Sequence, residues 1–108
     1  MTVSYITSKD QYDQIINSGK VVYIDFTAQW CGPCKMISPI FEKHASEDKS
    51  GAEFYKVDID DQPKIAEAAE IGAMPTFKTY KDGNVVNTLV GAKPADLRAL
   101  IVAGLALQ

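Results

Sequence analysis

Cysteine is scarce in this chain: 108 residues contain two, at positions 31 and 34, with a single histidine and a single tryptophan. Two thiols and one imidazole fall short of the four ligands a tetrahedral zinc site needs, which argues against a structural metal. One bridge across so short a loop would stabilise little, which argues against a structural disulfide as well. No block of Lys or Arg is present, and 11 basic against 14 acidic residues leave a net charge of −3. A nucleic-acid groove or a polybasic membrane patch therefore has nothing to rest on. The longest uncharged apolar run, Ala99 to Leu107, is far below the ~20 residues of a membrane span. Met1 to Asp10 has neither the cationic start nor the apolar segment of a secretory leader, which sets the expectation of a cytoplasmic, reducing environment. In such a compartment a cysteine pair is more often catalytic or metal-binding than structural.

What remains is the composition of an ordinary globule, 46% hydrophobic and 23% charged. No repeat, low-complexity tract or linker divides it, so residues 1–108 read as one domain, long enough to bury a core without cross-links. After a short apolar lead, Ser8-Lys9-Asp10-Gln11 has the form of a capping box, followed by an apolar face of Tyr12, Ile15 and Ile16 and a stop at Gly19. Val21 to Thr27 is a β-branched, nearly unbroken apolar run, the pattern of a strand buried on both faces. A helical pattern follows from Pro33 to about Lys49, with Ile37, Ile40 and Phe41 on one side and a kink expected at Pro39. Glu53 to Ile59 reads as a strand. A short helix comes next, capped by Asp60 or Asp61, with Pro63 in its first turn and Gly72 after its end. Thr76 to Lys81 and Val85 to Val90 flank the turn signal Asp82-Gly83-Asn84, and a last helix starts near Pro94. The order β-α-β-α-β-α-β-β-α implies an α/β fold, a mixed sheet covered by helices on both faces.

The cysteines fall in Trp30-Cys31-Gly32-Pro33-Cys34, directly after the buried strand and at the head of the second helix. Two residues between them allow a small ring to close without pulling on the rest of the fold, so the bond is a movable chemical state. At Cys31 the orphan N–H groups and positive end of the helix favour a thiolate, the attacking form. Cys34, one turn deeper, is expected to be less exposed and more protonated, which suits a resolving thiol. Pro33 sets φ in the first helical turn, where its missing N–H is not needed, and Gly32 leaves room for a partner's backbone. Asp25, inside the apolar strand, is either desolvated, with its pKa pushed up, or a strand-edge acid that reaches water. Pro75 by itself reads as an ordinary trans proline opening a strand.

These features occur in a longer ordered set: Tyr23-Ile24-Asp25-Phe26, Trp30-Cys31-Gly32-Pro33-Cys34-Lys35, Pro39, Lys56 in Phe54-Tyr55-Lys56-Val57-Asp58, Met74-Pro75-Thr76, Gly83 and Gly91. End to end, the set resembles the thioredoxin family. The resemblance implies the thioredoxin fold, a central five-stranded mixed β-sheet flanked by four α-helices, and protein-disulfide reductase activity through a redox-active Cys31–Cys34 disulfide with no other bound cofactor. It implies that Asp25 lies beneath the dithiol and takes the proton of Cys34, that Lys56 modulates it, and that the Gly32-Pro33 spacer is of the reducing type. It further implies a cis peptide before Pro75, pairing of the Met74 backbone with an extended target, and an apolar surface of Trp30, Ala73, Met74, Gly91 and Ala92 around Cys31. No nucleotide-binding Gly-rich loop is present. Electrons are therefore expected from a partner, which the resemblance implies is an NADPH-dependent thioredoxin reductase, with disulfide-containing proteins such as peroxiredoxins and reductases as the implied targets.

Two rival readings use the same residues. One is a disulfide oxidase or isomerase of a secretory compartment, against which the Gly-Pro spacer and the absent leader both speak. The other is a binding module without turnover, against which retention of both cysteines, Asp25 and Pro75 speaks. Thr27 stands where bacterial members often carry Trp, which alters packing behind the dithiol. His44 continues an apolar helix face and reads as a partly buried structural residue. Asp58, Asp60, Asp61, Glu67 and Glu70 read as a solvated face and a helix cap.

Overall fold

The apolar run forms β2 (Val22–Thr27), the middle strand of a five-stranded sheet in the computed structural model, which describes Met1–Gln108. The chain runs β1 (Ser4–Tyr5), α1 (Lys9–Ile16), β2, α2 (Gly32–Glu47), β3 (Glu53–Asp58), α3 (Pro63–Ala68), β4 (Thr76–Lys81), β5 (Asn84–Val90) and α4 (Pro94–Gly104), ending in a 3-10 turn at Leu105–Leu107. Across the sheet the order is β1-β3-β2-β4-β5. β1, β3 and β2 are parallel neighbours, whereas β4 and β5 turn antiparallel. Parallel neighbours require crossovers, and α1 and α2 supply them; the antiparallel pair needs only a tight turn. That turn is Asp82-Gly83, with φ of 52° and 82°, the left-handed pair that a two-residue hairpin demands. Asn84 begins β5 instead of completing the turn.

Alternation along β2 sends its side chains to two cores. On one face Val21, Tyr23, Phe54 and Phe77 pack against Ile37 and Phe41 of α2 and Leu97, Leu100 and Ile101 of α4. On the other, Val22, Ile24, Phe26, Val57 and Tyr80 meet Tyr12 and Ile16 of α1 and Ile65 of α3. The expected mixed sheet with four flanking helices is the observed one.

Local chemistry departs from expectation at three ends. Ser8 Oγ accepts the Gln11 N–H at 3.1 Å, but Gln11 Oε1 returns to the N–H of Thr7 at 2.7 Å, one residue before the capping-box position. Neither Asp60 nor Asp61 caps α3. The N-cap is Gln62, without a side-chain bond, and the Asp58 carboxylate instead accepts the N–H groups of Asp60 and Asp61. Pro63 opens the helix where no N–H is needed. At its far end Glu70, with φ of 58°, takes the left-handed position expected of Gly72. α2 runs from Gly32 to Glu47 with Pro39 inside it.

Candidate active site

Cys31 is the N-cap of α2. Its backbone is extended (φ −88°, ψ 107°), and its Sγ accepts the Cys34 N–H at 3.2 Å. A sulfur in that position receives both the orphan donors and the positive end of a sixteen-residue helix, which favours negative charge there. Cys31 and Cys34 are joined as a disulfide with Cα atoms 5.3 Å apart, within the ordinary range for a bridge. Both are buried in this oxidised state, Cys34 at 1% and Cys31 at 4% exposure. The order is the expected one, but the difference is small. Pro33 lies in the first turn of α2, and a Cβ added at Gly32 would meet nothing within 4 Å. The chain's own packing does not demand glycine there; the open side is space left beside the sulfurs.

Asp25 lies on β2 and is 1% exposed, and neither carboxyl oxygen has a hydrogen-bond partner. Burial pushes its pKa from 3.8 up to about 7; the Lys56 ammonium pulls it down and the Glu42 carboxylate pushes it up. The strand-edge alternative, in which Asp25 reaches water, is thereby set aside. Lys56 is its register neighbour on β3, and Phe77 its neighbour on β4. The Lys56 Nζ lies 4.0 Å from Glu42 Oε1. A cleft of about 110 Å³ beside the dithiol is lined by Tyr5, Thr27, Gln29, Cys34, Ser38 and Lys56, among others. The threonine at position 27 thus borders open space where a larger ring would fill it.

Around the sulfurs, Ala28, Cys31 and Cys34 form a small buried cluster on which Met74 and Ile59 pack. The Met74–Pro75 peptide is cis. The Pro75 carbonyl accepts the Gly91 N–H at 2.9 Å, and Thr76 Oγ1 donates to the Ala73 carbonyl at 2.7 Å. The first bond ties the segment around Pro75 to Gly91, and the second closes that segment on itself. None of the loop, turn or side-chain hydrogen bonds uses the Met74 N–H or C=O. Trp30 is 68% exposed, with its indole N–H donated to Asp60 Oδ2 at 2.8 Å. Ala73 is exposed, Gly91 half-buried, and Ala92 packs on the α2/α4 core instead of the cysteine cluster. His44 is half-buried on α2, as expected. Sequence reasoning missed Ile59, Asp60 as the partner of Trp30, Glu42 and Tyr5. Only Ile59 left a signal, as the apolar end of the 53–59 run.

A Cys-x-x-Cys disulfide at a strand-to-helix junction, in a fold that also buries an unpartnered carboxyl on the preceding strand, defines a dithiol–disulfide exchange domain. The comparisons narrow that class. The thioredoxin family model matches residues 3–103. A thioredoxin of Coprinus comatus is 50% identical over 107 residues, covering 96% of this chain and 99% of its own. One of Malassezia sympodialis is 52% identical over 102 residues, covering 92% and 95%. The crystal structure of Malassezia sympodialis thioredoxin matches with a TM-score of 0.91 at 49% identity, covering 96% of this chain and 91% of that one. The chain belongs to the thioredoxin family. Its activity is that of a protein-disulfide reductase, a thiol–disulfide oxidoreductase working through the Cys31–Cys34 pair.

Proposed function

We propose that Cys31 is the attacking thiol and Cys34 the resolving one. The observation that carries this order is the N-cap geometry: the Cys31 sulfur receives the Cys34 N–H at 3.2 Å, a hydrogen bond that favours its anion. The Cys31 thiolate attacks one sulfur of a target disulfide, forms a mixed disulfide and releases the first target thiolate. Cys34 then gives its proton to Asp25 and attacks the Cys31 sulfur, and the second target thiolate leaves. Two electrons pass to the target and the Cys31–Cys34 bond closes.

Asp25 serves as acceptor because a carboxyl titrating at about 7 can both take and return a proton near neutral pH. Lys56 tunes it, and Gly32 and Pro33 shape the ring between the sulfurs. Target backbone adds alongside Met74, whose N–H and C=O are free, in the manner of strand addition. Trp30, Ala73 and Gly91 complete the contact surface, whereas Pro75 is buried and Ala92 packs on the core, so these two act by shaping it. Electrons return from an NADPH-dependent thioredoxin reductase, and the targets are disulfide-bearing proteins such as peroxiredoxins and reductases. The setting is cytoplasmic; no helix is long and apolar enough to cross a membrane.

Replacing Cys34 by Ser tests the order. The variant is expected to accumulate mixed disulfides through Cys31 with insulin-type substrates, whereas Cys31→Ser accumulates none. Trapping through Cys34 in the Cys31→Ser variant would overturn the assignment.

A further inference from the structure

The α2 side of the sheet carries a row of residues in register across four strands: Tyr5 on β1, Lys56 on β3, Asp25 on β2 and Phe77 on β4. The row runs inward from a half-exposed ring at the sheet edge to the buried carboxyl on the central strand. Lys56 Nζ lies 4.5 Å from the centre of the Tyr5 ring, close enough for the ring face to hold the cation. It also lies 4.0 Å from Glu42 Oε1, and its side chain is only 18% exposed. Tyr5, Lys56 and Cys34 all line the same side cleft, whereas Asp25 does not. The Lys56 side chain thus borders the cleft, its ammonium in reach of both an aromatic face and an acid, and it is the cation that acts on Asp25.

We infer that Tyr5 is a positioning residue for the resolving step: its ring seats the Lys56 ammonium beside Glu42 and so fixes the one cation that acts on Asp25. The inference rests on Asp25 being the proton acceptor. The charged groups acting on Asp25 are Lys56 from β3 and Glu42 from α2. Lys35 of α2 lines the cleft beside Cys34, β1 contributes Tyr5, and β4 contributes only Phe77. Tyr5 itself lies on a strand of two residues and is 42% exposed, so its packing does little to hold the fold. A free lysine ammonium is strongly hydrated. Without the ring, Lys56 moves outward with half-exposed Glu42, and Asp25 loses the attraction that favours its charged form.

The test follows the Asp25 carboxyl by carbon NMR against pH in the oxidised protein, alongside the pH profile of disulfide reduction. Tyr5→Leu, which keeps apolar bulk, and Tyr5→Ala are both expected to raise the Asp25 midpoint by about half a pH unit. The reduction profile is expected to move by the same amount. Tyr5→Phe keeps the ring face and the original midpoint. In a Lys56→Met background, Tyr5→Leu adds nothing further. An unchanged or lowered midpoint, or an equal shift in the Lys56→Met background, would overturn the inference. A midpoint shift with no shift in the reduction profile would instead overturn the role given to Asp25, and with it the consequence for resolution.

Discussion

Tyr23 and Asp25 lie two residues apart on one face of the central strand, each 1% exposed, and they are treated in opposite ways. The Tyr23 hydroxyl donates to the Ile101 carbonyl at 3.0 Å, and its ring tilts against Phe54. Burial, and after it the Asp48 carboxylate, pushes its pKa up to about 12, so it stays a neutral, satisfied donor. Asp25 is buried as deeply with both oxygens unpartnered. The polar group that serves the fold has a partner, whereas the one assigned to the chemistry has none. An unpaired buried carboxyl is unfavourable for folding, and that same strain on its charged form places it within reach of a proton at neutral pH.

The sharpest way to break the comparison is Asp25→Ala. A carboxyl whose folded pKa lies near 7 instead of 3.8 leaves stability intact below the unfolded value. That stability is lost as pH rises through the folded one. The wild type is thus expected to weaken between about pH 4 and pH 7. The variant should lack that slope and be more stable by about 2–4 kcal/mol above pH 8, the lower figure allowing for the small cavity created. Turnover should fall, chiefly at release of reduced target. Denaturant melts across this range check the first claim; equal or lower stability of the variant at neutral pH would show that Asp25 is not desolvated at all.

The Tyr23 end is sharpened by Gly104→Ala. A Cβ there would collide with the Tyr23 hydroxyl and ring, and a ring 1% exposed between Phe54 and α4 has no room to withdraw. The expected loss is about 1–3 kcal/mol with no pH slope. Tyr23→Phe removes the hydroxyl and leaves the Ile101 carbonyl without that donor, which costs about 1 kcal/mol. The pair should be non-additive, because Tyr23→Phe removes the atom that Gly104→Ala meets first. Strict additivity in thermal melts would show that the glycine is not required by the tyrosine.

How much of this could be read from the chain alone follows from range. The strands and helices were legible because their signals are local: the β-branched run of β2, the Asp82-Gly83 turn, the prolines that open α3 and α4. The dithiol was legible for the same reason, since strand, motif and helix are contiguous. The apolar neighbours of Asp25 left burial and a water-reaching strand edge both open, and its lack of any partner was not readable at all, because partners come from other strands and helices. The Lys56–Glu42 contact and the Tyr5 ring face join distant segments and left no trace in composition or period. The ends of α3 failed differently. Asp58, not Asp60 or Asp61, bonds the entry, and Glu70, not Gly72, turns left-handed. Several residues there have the right chemistry, and tertiary packing selects among them.

The smallest effect concerns a polar pair that sits in water. Trp30 donates its indole N–H to Asp60 at 2.8 Å, shorter than the Tyr23 bond, yet Trp30 is 68% exposed and Asp60 is exposed too. Water competes for both groups, so distance alone misjudges the bond. Asp60→Ala is expected to change stability by no more than about 0.5 kcal/mol, less than Tyr23→Phe despite the shorter contact. Its effect belongs to orientation. Trp30 directly precedes Cys31 and is the only tryptophan in the chain, so its fluorescence anisotropy reports on the indole alone. With Asp60 gone the anisotropy should fall, and the KM for protein disulfides should rise with little change in kcat, because the loosened ring weakens ground-state contact with the target. A stability loss as large as that of Tyr23→Phe would mean that exposure does not discount a hydrogen bond here, and the contrast between buried and solvated partners would fail.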